Sequence, residues 1–419
     1  MKFNQIVLGD YIDVLTDYHA NGAYEKLKAN VTLKHDPDYA IMIRTLNFEA
    51  GNFDSKLIYI NKDEYKFLSK SKVYSNDIIM NKIANAGSVY IMPELNRPVS
   101  LAMNLFLIRF NDLLDKRFMY YLMHLYEPYI KQYANGTATL TITKDSVKGL
   151  KFYVPPLPTQ QKIAKILSNY DDLIENNLKR IKLLEESARL TYEEWFLRFR
   201  VDGKRLEIDP DSGLPFEWQD VLLTDYIDLL RGVEPGSSKY EEVKTDSNIP
   251  FIRVGNLSKR DSNIYVSKDL ANNKIIDKDD IILSLDGSPG MVKFGLSGCY
   301  STGVRKAVSK QENISSIFIY NLLNSPYIQG LIEAYATGAT ILHAGSSVKK
   351  MRVILPTDEV LDKYNNIEMK KFQLILNLSD ENKLLKEARD ILLPRLMTGM
   401  IDTDDLDIAV CAGNTTKTI

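Results

Sequence analysis

Between Thr159 and about Arg200 the chain holds neither proline nor glycine, and apolar side chains return at alternating steps of four and three. Ile163, Leu167, Tyr170, Ile174, Asn177, Ile181, Leu184, Ala188, Thr191 and Trp195 trace this seam. Such spacing keeps one helix face turned toward a partner helix, so it predicts a long helix with a coiled-coil seam. Pro158 lies before its expected start, Thr159 reads as the N-cap, and Gly203 follows its end. Asn177 fits two readings: a solvated position, or a buried polar residue that fixes register and partner.

A second stretch runs from about Thr357 to Leu393. Tyr364, Ile367, Leu374, Leu378, Leu385, Ala388 and Leu392 keep the same steps, interrupted by Lys371 and Glu381. Pro394 is expected to end or kink this helix, because proline lacks an N–H and crowds the preceding turn. One such stretch alone would read as an ordinary amphipathic core helix; two matched stretches, each following a domain, favour a paired coiled coil. Short β-type runs precede each helix: "KLIYI" and "SVYIM", then "IILSL", "MVKFG" and "MRVIL". "FMYYLMHLYEPYIKQY" and "SSIFIYNLLNSPYIQGLIEAY" read as helices, and "VDGKRLEIDPDSGLPFEW" as a turn-rich connector.

The two halves echo each other in order. "DYIDVL" (10–15) returns as "DYIDLL" (225–230), and "IMIRTLNF" (41–48) as "PFIRVGNL" (250–257). "SNDIIMNKIANAG" (75–87) returns as "KDDIILSLDGSPG" (278–290), and "EPYIKQYANGTATL" (127–140) as "SPYIQGLIEAYATGATIL" (325–342). "SVKGLKFYVP" (146–155) returns as "SVKKMRVILP" (347–356). Collinear echoes mean a duplication, with a period far too long for a solenoid repeat. The expected fold is α+β: two homologous mixed α/β domains separated by two long antiparallel coiled-coil helices, with pseudo-two-fold symmetry. The expected boundaries are 1–157 for the first domain, 158–200 for the first helix and 201–216 for a connector. The second domain follows at 217–355, its helix at 356–400 and a tail at 401–419.

Composition narrows the class without choosing a partner. The 419 residues are 45% hydrophobic and 26% charged, ordinary for a globular protein of two or three domains. No apolar run approaches the roughly 18 residues of a membrane span, and the N-terminus lacks a signal-like apolar core. Two cysteines, Cys299 and Cys411, are too few for a disulfide framework or a thiolate zinc site. A cytoplasmic protein fits all of this. A formal charge of −2 argues against coating nucleic acid over the whole surface, but leaves room for local basic patches.

The residues also carry a resemblance. "VPPLPTQQKIAKILSNYDDLIENNLKRIKLLEESARLTYEEWFLRFR" (154–200) is similar to the central conserved region of the specificity subunits of type I restriction-modification systems. "LLPRLMTGMID" (392–402) is similar to the end of their distal conserved region, although "PTDEVLDKY" replaces the usual Pro- and Gln-rich start. The domains, with their "YANGTAT" and "YATGAT" turns, resemble the paired target recognition domains.

That resemblance implies a non-catalytic reader of double-stranded DNA, binding a bipartite, asymmetric site with an unread spacer. It implies docking of two modification subunits, which carry S-adenosylmethionine and methylate adenine N6. Restriction subunits, motor nucleases using ATP and Mg²⁺, can join; the chain itself holds no cofactor and no metal. A helix of about 40 residues is about 60 Å long and would space two readers one to two duplex turns apart. Spacer and partner docking are assigned to Ile163, Leu167, Tyr170, Ile174, Asn177, Ile181, Leu184, Trp195, Leu378, Leu385 and Leu392.

Candidate DNA contacts rest on side-chain chemistry. Lys144, Lys148 and Lys151 follow the first Gly-Thr turn, and Lys349, Lys350 and Arg352 the second. Paired basic groups there suit phosphates, and solvated loop cations are the plain alternative. Arg44 and Arg253, with Asn47 and Asn256, have side chains able to read G or A bidentately. Their repetition in both copies points instead to structure, since shared residues cannot give differing specificities. Lys66, Lys70 and Lys72 belong to "KFLSKSK", a stretch found in the first domain alone.

Two other classes stay open beside this. A self-contained nuclease or methyltransferase would need a complete catalytic set. "DPDY" (36–39) lacks the second proline of the amino-methyltransferase motif. Pro37-Asp38 with Glu64 and Lys66, and Pro210-Asp211 with Glu241, Glu242 and Lys244, match a metal-nuclease pattern that a highly charged chain produces readily. No phosphate-binding loop is present, and His19, His35, His124 and His343 lack metal-ligand spacing. A purely structural coiled-coil adaptor is the other class; it has no use for two diverged domains.

Overall fold

The structure is a computed structural model that describes residues 2–403 apart from 138, 259–261 and 340; Cys411 and the tail from 404 onward lie outside the described residues. The chain forms two compact units. One holds residues up to Leu173 and the chain from Leu385 onward; the other holds Ile174–Leu384.

In the first unit, Asn4–Val7 pairs antiparallel with Lys151–Val154, the strand that leads into the first long helix. One four-stranded sheet has the order Ile12–Asp17, Leu105–Phe110, Ile78–Asn81, Val89–Ile91. The other has the order Tyr59–Ile60, Ala40–Ile43, Val99–Leu101, Lys72–Val73, with a parallel pair at its centre. Ala40–Ile43 and Ile78–Asn81 are inner strands buried along their length, which fits their apolar runs Ala40–Ile43 and Ile78–Met80. Helix Lys116–Leu125 starts where the Asp115 carboxylate accepts the Phe118 N–H at 2.8 Å. Its buried Phe118, Met119 and Leu122 share a core with Ile163, Leu167, Leu393, Leu396 and Met397 of the long helices.

The second unit repeats this strand for strand. Gln219–Leu222 pairs with Arg352–Leu355. The sheets have the orders Ile227–Arg231, Val304–Ser309, Ile281–Ser284, Val292–Lys293 and Tyr265–Ser267, Asn248–Ile252, Gly298–Tyr300, Ile275–Ile276. The parallel pair recurs between Asn248–Ile252 and Gly298–Tyr300. The echoes therefore mark two copies of one α+β domain. The core here is aromatic: Phe196 lies 4.9 Å from Tyr364 and 5.2 Å from Phe318, ring centre to ring centre.

The long helices span Leu157–Tyr192, continued by a π-helical turn at Glu193–Leu197, and Asp358–Met397. Within the second unit they pair antiparallel: Asn177 meets Asn382, and Ser187 meets Lys371. In the first unit Asp171 meets Arg389, at 2.5 Å.

Three expectations need correction. Thr159 is inside the first helix, because Pro158 is tolerated in the first turn, where its missing N–H has no helical acceptor. The second helix passes through Pro394 to Met397; burial of Leu393, Leu396 and Met397 offsets the lost hydrogen bond. The second seam is displaced by one residue at alternate positions. Ile367 and Leu374 face outward at 43% and 37% exposure, whereas Glu368, Ile375 and Asn382 are buried.

Candidate nucleic-acid interface

Arg44 and Arg253 each follow a central strand and precede a short helix, Thr45–Glu49 or Val254–Leu257. The backbone N–H of Arg44 donates to Asn47 Oδ1 at 3.0 Å, and that of Arg253 to Asn256 Oδ1 at 2.9 Å. The repeated Arg-x-x-Asn is thus a helix-start device. Asn47 is buried and its amide also donates to Asn52 O, so it presents nothing to a base; Asn256 has its carbonyl committed. The two arginines differ. Arg44 Nη2 donates to Lys56 O at 2.7 Å. Arg253 lies over the Tyr240 ring at 5.6 Å and lines a cleft of about 670 Å³ with Glu234, Asn263 and Thr302. The buried Nε of each has no hydrogen-bond partner among the described residues.

The basic stretches are equally mixed. Lys148, Lys151, Lys349 and Lys350 are exposed. Lys144 opens the helix Lys144–Lys148 and reaches Asp17 at 3.6 Å. Arg352 does not stand free: Nε contacts both Asp220 carboxylate oxygens at 2.9 and 3.0 Å, and Nη2 donates to Asp220 O. That clamp across the strand pair commits Nε and Nη2 of a side chain expected to meet a phosphate. Lys70 is exposed, Lys66 pairs with Asp63 at 3.1 Å, and Lys72 sits 4.8 Å from the Tyr65 ring centre.

The nuclease-like residues have structural work. Glu64 is buried and accepts the N–H groups of Thr32 and Asn61, at 3.0 and 2.6 Å. Asp38 takes Lys34 at 2.6 Å and the Tyr39 N–H at 2.7 Å, as a turn residue does.

The sequence-assigned docking residues lie mostly inside. Ile163, Leu167, Ile174, Asn177, Ile181, Trp195 and Leu378 are buried, and Tyr170, Leu184, Leu385 and Leu392 are half-buried. They hold this chain's own helices together.

A family model for the type I restriction modification DNA specificity domain matches twice, over residues 16–186 and 215–380. Each match spans one copy of the duplicated domain with its share of the first or second long helix. The chain belongs to this family. Its members supply DNA specificity to type I systems, so the chain is a recognition subunit and not the catalyst. A Methanocaldococcus jannaschii chain assigned as specificity subunit of the MjaX type I restriction enzyme is 26% identical over 366 residues, 83% of each chain. The HindI specificity subunit of Haemophilus influenzae is 25% identical over 327 residues, 62% of this chain and 71% of the relative. In fold, the specificity subunit is similar to the crystal structure of the S subunit of a type I system from M. genitalium. That match has a TM-score of 0.56 at 17% identity and covers 94% and 96% of the two chains.

Sequence reasoning passed over the residues at the base of each glycine-turn hairpin. Asp17 takes Lys82 at 3.0 Å, and Asp286 takes His343 at 2.7 Å. Comparing the aligned copies for differences in polar type, rather than for identities, was the available signal.

Proposed function

We propose that each specificity domain reads one half of a bipartite DNA site and that the long helices carry the modification subunits. The observation that carries this is the twofold family match on two domains with identical sheet orders and different polar residues in their loops. Two copies of one scaffold with unlike loops suit two unlike half-sites. S-adenosylmethionine, ATP and Mg²⁺ belong to the partner subunits, and the complex works in the cytoplasm on double-stranded DNA. Lys148, Lys151, Lys349, Lys350, Lys66 and Lys70 contact phosphates, and Arg253 works from the wall of its cleft.

Docking uses the outward face of the helices rather than their seam. Leu183 and Leu190 lie seven residues apart and are exposed, as are Ile367 and Leu374 on the other helix. Heptad spacing aligns each set along its helix, and such stripes suit helices of a modification subunit. Leu183→Glu with Leu190→Glu should abolish co-purification with that subunit and leave the chain folded; retained co-purification would move docking elsewhere.

The deciding experiment is co-expression with the adjacent modification subunit in a methylation-free host, followed by genome-wide mapping of N6-methyladenine. The expected result is a two-part motif with a fixed unread spacer and one adenine on each strand. A short continuous motif would mean that one domain alone reads DNA. No methylation from a stable complex would favour the adaptor.

A further inference from the structure

The hairpins that carry the repeated glycine turn close in the same way in both domains. Asn135 and Thr141 exchange both hydrogen bonds at 2.9 Å, and Thr337 and His343 do so at 3.1 and 2.8 Å. Gly136 and Gly338 have φ of +144° and +135°, and a Cβ there would lie 2.3 and 2.0 Å from a carbonyl oxygen of its own hairpin. Each hairpin is joined to the central sheet alike: Ile142 N–H donates to Lys82 O at 3.0 Å, and Ala344 N–H to Leu285 O at 2.8 Å.

Register fixes which side chains are equivalent at this joint. Asp17 faces Phe106 where Arg231 faces Arg305, and Ile83 bridges Thr141 where Asp286 pairs with His343. The backbone repeats while the chemistry does not. In the first domain the buried Asp17 carboxylate holds Lys82 at 3.0 Å and Lys144 at 3.6 Å. In the second, Asp286 holds His343 Nδ1 at 2.7 Å and Arg305 Nη2 at 3.5 Å, from a different strand. The held groups still face outward in part: His343 is 61% exposed and Lys144 38%. What marks this joint is that the groups that differ are polar and partly exposed, as a pair of readers for unlike half-sites requires.

Resting on the recognition role above, we propose that this joint sets half-site specificity, through His343 positioned by Asp286 in one domain and Lys144 positioned by Asp17 in the other. In the tautomer whose Nδ1–H donates to the Asp286 carboxylate, the largely exposed His343 ring offers Nε2 as an acceptor. It suits the major-groove amino group of adenine or cytosine, whereas the Lys144 ammonium suits guanine O6 and N7. Asp286 and Asp17 are positioning residues.

The test uses the full chain with its modification subunit, mapping N6-methyladenine for the unsubstituted complex, His343→Ala and Lys144→Ala. His343→Ala should relax one position of one half-site, raising methylation of the mismatched sites about tenfold or more, the size of one lost base contact. The other half-site and the spacer should stay unchanged. Lys144→Ala should relax the opposite half-site. An unchanged motif would overturn the proposal. So would uniform loss of methylation from an assembled complex, which would make His343 a fold residue. Where His343→Ala does not assemble, His343→Gln, which retains a hydrogen-bonding reach to Asp286, carries the same test. Absence of a two-part motif from the unsubstituted complex would instead refute the underlying reading.

Discussion

In the first unit the long helices are met by Phe118, Met119 and Leu122, packed with Ile163, Leu167, Leu393, Leu396 and Met397. In the second they bring their own aromatic rings: Tyr192, Trp195, Phe196 and Tyr364 pack with Phe318, and the buried Tyr364 hydroxyl accepts the Asn321 amide at 3.0 Å. The sheets agree in order, yet the grips differ in kind. Sheet order depends on which strands pair, which many residue sets satisfy; a packed grip depends on the shapes that fill it. Duplicated domains therefore keep topology while their interiors and loops diverge.

The largest effect should come from emptying the aromatic grip. Phe196→Ala removes a ring that touches five aromatic neighbours and should cost the second unit about 4 kcal/mol. Hydrogen exchange should show protection falling across Ile174–Leu384 with little change in the first unit's sheets. Equal loss in both units would show that they unfold as one body, and the contrast between grips would then have no thermodynamic meaning.

A second contrast lies where "EPY" in one copy aligns with "SPY" in the other. Ser325 caps its helix, accepting the Ile328 N–H. Glu127 does more: it accepts the Val89 N–H at 3.1 Å and meets Ser88, His124 and Lys131. Burial alone would raise its pKa, but the hydrogen bonds from His124, Val89 and Lys131 outweigh burial and hold the carboxyl at about 2, below its ordinary 4.5. A lowered folded-state pKa gives stability that is complete above about 4.5 and is lost as the pH falls through about 2. Glu127→Gln should therefore cost the first unit about 2 kcal/mol at neutral pH and progressively less toward pH 2. Ser325→Ala should cost the second unit about 1 kcal/mol with no such acid dependence. Denaturant unfolding at pH 7 and pH 3 checks both; a pH-independent deficit for Glu127→Gln would show that packing, not charge, sets its worth.

How far the fold was legible follows from the same contrast. The first seam was readable because its buried positions are nearly all apolar, from Ile163 to Trp195. The second misled because Ile367 and Leu374 sit outside while Glu368, Lys371 and Asn382 occupy the interface. Glu368 is paired there with Lys371, and Asn382 accepts the Asn177 amide, so polar residues hold seam places that a hydrophobic pattern cannot predict. Shared residues such as Arg44 and Asn47 proved to fix local backbone. The joint at Asp286 and His343 depends on two segments 57 residues apart meeting, which spacing alone does not announce.

The smallest effect separates Lys151 from Arg352, which stand at matching places on matching strands. Arg352 is paired with Asp220, at 44% and 47% exposure, so the pair is worth about 0.5 kcal/mol and should leave Arg352 committed within the chain. Lys151 is exposed on its strand, opposite Val7. Lys151→Ala should lower the slope of log K for DNA binding against log salt by about 0.9, the release of one counterion, without altering the recognised sequence. Arg352→Ala should leave that slope unchanged. Binding of the assembled complex to one duplex across a salt series measures both. If Arg352→Ala shifts the slope equally, the Asp220 clamp opens on DNA, and the two strands do the same electrostatic work after all.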